Sequence, residues 1–445
     1  MTDTIEQQDI TAIWPLGTTR DARGELVIGG VSLSTIAGEY GTPTYIYDEA
    51  TLRTTARRLV DAFAAAYPKF RVVYAGKAFL ATALVRILRE EGLGLDVVSG
   101  GELYLGLAAG MPAREISMHG NNKTRTELQE AIAAGIGKIV VDNEDEIDLL
   151  AELTRDCLEP LTVLLRLNPG VDVHTHKKIS TGLADSKFGL PIVDGQAEQA
   201  VARIAAIPTL RLAGYHAHVG SQLFDPEATL DAIDELLSFA AAMRDRHGLE
   251  MEHLSPGGGF GIAYEAGDEP LPLQTWASRI GDAIRSGCEA RGLPLPTVTV
   301  EPGRAIAGPA GVALYTVGAR KSLPGIRTYV SVDGGMADNI RPSLYGARYS
   351  AALANRQPEV DGAPETVTIA GKFCESGDVL IEDIALPRLE PGDLLAIPAA
   401  GAYCLAMASN YNLAPRPAVV LVGNGEHRLI RRRETYADLV QFDVS

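Results

Sequence analysis

Between residues 70 and 303 the chain repeats one pattern: a short β-branched or apolar run, a corner rich in Gly, Asn, Ser and Pro, then a helical stretch rich in Ala, Leu and Glu. This is βα alternation, and it predicts parallel pairing, because parallel neighbours need a crossover that a tight turn cannot supply. The runs are FRVVYAGK (70–77), LGLDVVS (93–99), EISMHGN (115–121), KIVVDN (138–143), TVLLRLNP (162–169), RLAGYHAHVG (211–220), MEHLSPGGG (251–259) and TVTVEPGR (297–304), eight in all. Eight parallel strands in about 250 residues is the count of a closed (β/α)8 barrel. The expected fold class is therefore α/β, a TIM-like barrel, and an open doubly wound sheet is the alternative that the same alternation permits. Barrels of this kind form their sites at the C-terminal ends of the strands. Lys77, His218, the glycines at 257–259 and Glu301 all fall there.

Beyond residue 305 the texture changes to short alternating runs such as IRTYVSVDGG, ETVTIAGKFC and DVLIEDIALP, cut by Gly, Pro and Asp turns. This predicts a mostly β C-terminal domain. The first 45 or so residues also look extended (GELVIGGVSL, TPTYIYD) and are expected to join it. The expected domains are thus an N-terminal segment 1–48 joining the β-domain, a barrel over 49–304, and the β-domain over 305–445.

A net charge of −17 argues against nucleic acid or an anionic membrane as partner, while leaving room for a local basic pocket that takes a small anion. Cys157, Cys288, Cys374 and Cys404 are far apart and form no CxxC pair, which disfavours a metal site or a dithiol redox site and fits a reducing cytoplasm. Residues 1–10 are acidic and polar and lack the basic start and apolar stretch of a signal peptide, so the expected location is cytoplasmic. The uncharged stretch 394–415 is interrupted by Pro398, Gly401 and the run Ser409-Asn410-Tyr411-Asn412, and reads as buried strand and loop. A membrane span needs roughly 20 mostly apolar residues.

Taken singly, the chemistry-bearing residues admit two readings each. Lys77 is either a solvated lysine or, in a partly desolvated barrel, an amine able to form a Schiff base. The run at 257–259, with Gly261, offers backbone N–H groups to a phosphate, or it is a turn that needs positive φ. Ser221 adds a hydroxyl donor to the same anion. Glu301 and Arg304, in EPGR, are a functional pair or an internal ion pair. His216 and His218 alternate on one strand and are either ring-stacking or core histidines. Cys374, in CESGD, is a small buried hydrophobe or an accessible thiol flanked by an acid and a turn.

Together the motifs resemble the pyridoxal-phosphate decarboxylases of the barrel-plus-β-domain type, and within them the diaminopimelate decarboxylase branch. They stand as YAGKAF (74–79), STGLADSKFG (180–189), HAHVGSQ (216–222), SPGGGFGI (255–262), EPGR (301–304), IRPSLYGA (340–347), CESGD (374–378) and GAYCLAMASNYN (401–412), eight in the family's order. STGLADSKFG, IRPSLYGA and CES are the markers of the diaminopimelate branch; the ornithine branch more usually has Asp after the cysteine. Phe79 departs from the Asn that many relatives carry there.

The resemblance implies that Lys77 holds pyridoxal 5'-phosphate as a Schiff base and that Glu301 pairs with the pyridine nitrogen. It implies that His218 stacks on the ring, that Ser221, Gly258, Gly259 and the backbone of Glu301, Pro302, Gly303 and Arg304 hold the phosphate, and that Tyr403 contacts cofactor and substrate. Cys374 would reprotonate the α-carbon. Arg304, Arg341 and Tyr345 would bind the remote carboxylate of meso-diaminopimelate, and Glu375 its distal ammonium. The CES segment would serve the neighbouring subunit's active site in a homodimer. Decarboxylation of another diamino acid (ornithine, arginine, lysine or carboxynorspermidine) is the alternative on this scaffold. Alanine racemase shares the architecture but should bring a catalytic tyrosine; of the non-catalytic cofactor-binding proteins, a carrier of the small barrel type would lack the β-domain and a pseudoenzyme would have lost Lys77 or Cys374.

Overall fold

The computed structural model describes residues 13–171, 186–357 and 362–444. Contacts divide the chain into two units, Met1–Thr54 with Ile262–Glu269 and Arg304–Ser445, and Thr55–Gly261 with Pro270–Gly303. The stretch Ile262–Glu269, read from the sequence as part of the barrel, groups with the β-rich unit because Ala263 belongs to that unit's apolar core.

The second unit is an eight-stranded parallel barrel. Its strands are β1 (Phe70–Ala75), β2 (Gly94–Val97), β3 (Ile116–Met118), β4 (Lys138–Val141), β5 (Leu161–Asn168), β6 (Leu210–His216), β7 (His253–Gly257) and β8 (Thr297–Val300). Neighbours in sequence are neighbours in the sheet, and β8 pairs β1 in the register Val298↔Phe70, which closes the barrel and removes the open-sheet alternative. Strands covered on both faces read as unbroken apolar runs, and β2 and β3 are buried along their whole length.

Helix starts are equally local. Ser99, Thr124 and Asn143 each cap the helix that follows a strand, Thr124 through a capping box with Glu127, so each strand ends where a side chain can take up the first free N–H groups. Gly214 lies at an irregularity in β6 where an added Cβ would sit 1.8 Å from the His253 carbonyl oxygen, so only glycine lets β6 and β7 approach there.

In the first unit a sheet runs in the order Val379–Leu386, Glu365–Ala370, Arg327–Val332, Gly311–Leu323, Thr44–Asp48, Ala418–Gly423, Glu426–Arg431. The N-terminal strand Thr44–Asp48 is central and fully buried, antiparallel to Gly311–Leu323 and parallel to Ala418–Gly423. Its core joins Trp14, Leu26, Ile28, Ile46, Leu314, Ala396 and Val420. The uncharged stretch 394–415 is the buried strand Leu394–Ile397 followed by the turns Leu405–Met407 and Tyr411–Leu413. Among the described residues no helix is long and apolar enough to cross a membrane.

Candidate active site

The barrel mouth encloses a cavity of about 470 Å³ whose lining includes Lys77, Asp96, His119, Arg166, His218 and Glu301, each in the C-terminal half of a strand or just beyond it. Lys77 sits on the single turn Gly76–Ala78 that follows β1, which holds its side chain at the mouth and exposed. Across the cavity Glu301 accepts from Ser255 Oγ at 2.7 Å and pairs with His216 Nε2 at 3.0 Å, one bond to each carboxylate oxygen. Burial works to raise its carboxyl, but His216, His119 and these two hydrogen bonds outweigh it and hold Glu301 well below the usual carboxylate range.

Asp96 behaves in the opposite way: burial, then the charge of Glu301, raise it well above that range. His119 lies between the two, with Nε2 3.6 Å from Asp96 and 3.8 Å from Glu301, and burial keeps it neutral. Burial and the charge of Lys77 push His218 down to about 3, so its ring too is neutral. The mouth thus presents the Lys77 amine, the Arg166 guanidinium and an ionised Glu301 beside the neutral rings of His119 and His218. His216 and His218 both line this cavity, as their spacing implied.

The glycine run is a turn that needs positive φ. Gly257 and Gly259 have φ of +80° and +101°, and a Cβ on Gly258 would meet the Glu301 carbonyl oxygen at 2.2 Å, so the ends of β7 and β8 approach as backbone on backbone. The loop after β6, which carries Ser221, is zipped to the same run: Leu223 N donates to Gly259 O and Gly261 N to Leu223 O, both at 2.9 Å. Ser221, Gly258 and Gly259 are therefore brought together. Pro302 has no N–H, and its carbonyl accepts from Ala75 N at 3.2 Å, so it shapes this cradle without donating to it.

In the β-rich unit the arginines of the expected substrate set meet on a phenol. Arg304 and Arg341 both donate to Tyr264 OH, the latter at 3.0 Å, and Arg341 also donates to Tyr349 OH. Arg304 lies 4.8 Å over the ring of Tyr403, whose φ of +63° is a left-handed conformation rare for a non-glycine residue. Tyr345 is on the exposed side of the turn Arg341–Tyr345, at 64% exposure against 6% for Arg341, and is not part of this cluster.

The CESGD turn leaves Cys374 and Glu375 exposed. Asp378 fixes it: one carboxylate oxygen accepts from Met336 N at 2.6 Å and the other from Phe373 N at 2.7 Å. Cys374 is held by its N–H to Asn412 Oδ1 at 3.1 Å and by its carbonyl, which accepts from Tyr411 OH at 3.2 Å. In STGLADSKFG, residues 180–185 lie outside the described residues, while Phe188 stacks 4.4 Å from the guanidinium of Arg166 at the barrel mouth.

Sequence reasoning missed Asp96, His119, Arg166, Ser255, Tyr264 and Asp378. A signal existed for the first three, since His119 follows an apolar barrel run and Asp96 and Arg166 are charged residues inside one; Tyr264 and Asp378 had none, because they act through loops that only the fold brings together.

A model of the family described as "Pyridoxal-dependent decarboxylase, pyridoxal binding domain" matches residues 53–308. The chain is 48% identical over 429 residues to the diaminopimelate decarboxylase of Bacillus subtilis, covering 96% of this chain and 97% of that one. It is 44% identical over 441 residues to that of Mycobacterium tuberculosis, covering 97% and 98%. The solved diaminopimelate decarboxylase of M. jannaschii, in co-complex with L-lysine, superposes with a TM-score of 0.90 at 34% identity, covering 96% of this chain and 98% of that one. A lysine/ornithine decarboxylase from Vibrio vulnificus, complexed with cadaverine, is more distant, with a TM-score of 0.74 and 26% identity over 88% of this chain and 97% of that one. Their shared barrel and these identities carry one conclusion: the chain belongs to the diaminopimelate decarboxylase family of pyridoxal-dependent decarboxylases.

Proposed function

We propose that the chain removes one carboxylate of meso-diaminopimelate as carbon dioxide and yields L-lysine, the last step of lysine biosynthesis, with pyridoxal phosphate held at the barrel mouth. The observation that carries this reading is that an amine, Lys77, and a buried ionised carboxylate, Glu301, line one cavity. The residues fit the cofactor: an amine for its aldehyde, a carboxylate for its ring nitrogen, a neutral imidazole for its face, and, for its phosphate, a glycine run packed backbone on backbone with no room for a Cβ. Bound there, pyridoxal phosphate supplies a ring that takes up the electron pair left on the α-carbon.

Lys77 would hold the cofactor's aldehyde end by its amine. Glu301 keeps a proton on the ring nitrogen, its charge secured by Ser255 and His216. His218 covers the ring, and Ser221, Gly258, Gly259 and the backbone at Gly303 and Arg304 hold the phosphate. Tyr403 orders the cofactor edge. Cys374 delivers a proton to the α-carbon after carbon dioxide leaves, and Glu375 receives the distal ammonium. In a homodimer both act in the neighbouring subunit's site, which accords with their exposure in the single chain. The enzyme works in the cytoplasm.

Specificity comes from the remote carboxylate, taken by Arg304 and Arg341, which converge on Tyr264 while Tyr345 faces away on the exposed side of its turn. A hydrogen bond to a charged group is worth about 1.5–3 kcal/mol, and a buried guanidinium left unpaired costs more. With meso-diaminopimelate as substrate, ornithine and lysine should be rejected by about 10⁴-fold. Comparable turnover of ornithine by the purified protein would move the assignment to another diamino acid.

A further inference from the structure

Arg341 is a guanidinium at 6% exposure that no carboxylate neutralises: among the described residues its hydrogen-bond partners are two phenols, Tyr264 and Tyr349. A buried cation without an acid is costly and is kept where an anion is to be received. Tyr264 OH is also unusual. It accepts from Arg304 Nη1 and from Arg341 Nη1, which uses both lone pairs of a phenol oxygen, and among the described residues its own proton has no acceptor.

The partner on the other side of Arg341 spends its proton internally. Cys404 Sγ lies 3.7 Å from Ala402 O as donor and 3.4 Å from Tyr349 OH, so the run of donors is Arg341 to Tyr349, Tyr349 to Cys404, Cys404 to Ala402. Among the described residues Tyr264 has no such outlet. Its backbone is fixed as well: Tyr264 N and Glu265 N both donate to Asp268 Oδ2, at 2.8 and 3.1 Å. The segment Ile262–Glu269 that carries it belongs to the β-rich unit with both arginines, so the three side chains share one framework.

We propose that Tyr264 is the positioning and specificity residue of the arginine pair: its oxygen holds Arg304 and Arg341 as one forked cation, and its free proton is donated to the carboxylate that the pair receives. This rests on the function proposed above and assigns the third donor of the remote-carboxylate site. It also explains why the unpaired O–H sits between two guanidiniums. Tyr264 touches no reacting atom. It acts on recognition, and a ligand without a carboxylate at that end does not sense it.

The test is calorimetric binding of two ligands to the holoenzyme, L-lysine, which keeps the remote carboxylate, and cadaverine, which lacks it. Tyr264→Phe should weaken L-lysine by about tenfold, the worth of one hydrogen bond to a charged group, and cadaverine by less than about twofold. In an Arg341→Ala background the Tyr264→Phe effect on L-lysine should shrink, because the two act as one unit. Equal weakening of both ligands, or no weakening of L-lysine, overturns the proposal. Asp268→Ala, which frees the Tyr264 backbone, should show the same preference for losing L-lysine and serves if Tyr264→Phe does not fold. A wild-type protein that shows this discrimination yet releases no carbon dioxide from meso-diaminopimelate would end the proposed function and leave the role of Tyr264 standing.

Discussion

Glu301 is ionised at a depth where burial disfavours charge, because one donor is supplied to each of its oxygens. Lys77→Ala should abolish activity and the visible absorbance of the holoenzyme, and a yellow, active variant would contradict the assignment. His218 gives a pH dependence with a definite sign. Its folded pKa, about 3, lies below the unfolded value of 6.5, so the fold binds fewer protons than the unfolded chain between these values. Its contribution is present above pH 6.5 and is lost as pH falls toward 3. Thermal unfolding of the apoprotein as His218→Asn should therefore show a shallower acid decline than the wild type; parallel curves would mean that His218 is solvated. At this scale Lys77, Glu301 and His218 were legible in the sequence, since each stands just after an apolar strand run. Tyr264 and Asp378 were not: each acts on groups far away in sequence, and neither interrupts a periodic pattern.

Among the elements, the loop after β3 is fastened by one buried lysine. Lys123 Nζ donates to Gly120 O at 2.8 Å, Val140 O at 2.7 Å and Glu146 Oε1 at 2.7 Å, and its side chain is 1% exposed. Gly120, Asn121 and Asn122, which line the cavity, are thereby tied to the end of β4 and the helix after it. Lys123→Met leaves the buried Glu146 carboxyl without its cation, and denaturant melts should show a loss of about 3–5 kcal/mol. Lys123→Met with Glu146→Leu should recover most of it, and failure to recover would place the loss in the loop carbonyls instead. Gly258→Ala forces β7 and β8 apart at the Glu301 carbonyl, and equilibrium dialysis should read at least about a tenfold weaker hold on pyridoxal phosphate. The barrel strands were readable because doubly covered strands are continuous apolar runs, and the helices because Ser99, Thr124 and Asn143 announce their caps. Ile262–Glu269 was not readable, since its membership in the β-rich unit rests on tertiary packing of Ala263 and on side-chain bonds of Tyr264.

For the whole molecule, the exposed CESGD turn is the feature that a single chain leaves unexplained. If Cys374 serves a neighbouring copy, mixing Lys77→Ala with Cys374→Ala subunits should restore about a quarter of wild-type activity, because half the dimers pair unlike subunits and each of those has one intact site of two. No restoration after verified subunit exchange would place Cys374 in its own chain's site. The parallel barrel was legible from periodicity alone, whereas the chemistry was legible only where eight motifs in order joined it, since no single motif distinguishes a phosphate cradle from a turn. The most direct test of the account is carbon dioxide release from meso-diaminopimelate by the purified protein supplied with pyridoxal phosphate, with the second product identified. The account predicts carbon dioxide and L-lysine in equal amounts and none of either from the Lys77→Ala protein; a cofactor-loaded wild-type protein that forms neither would contradict it.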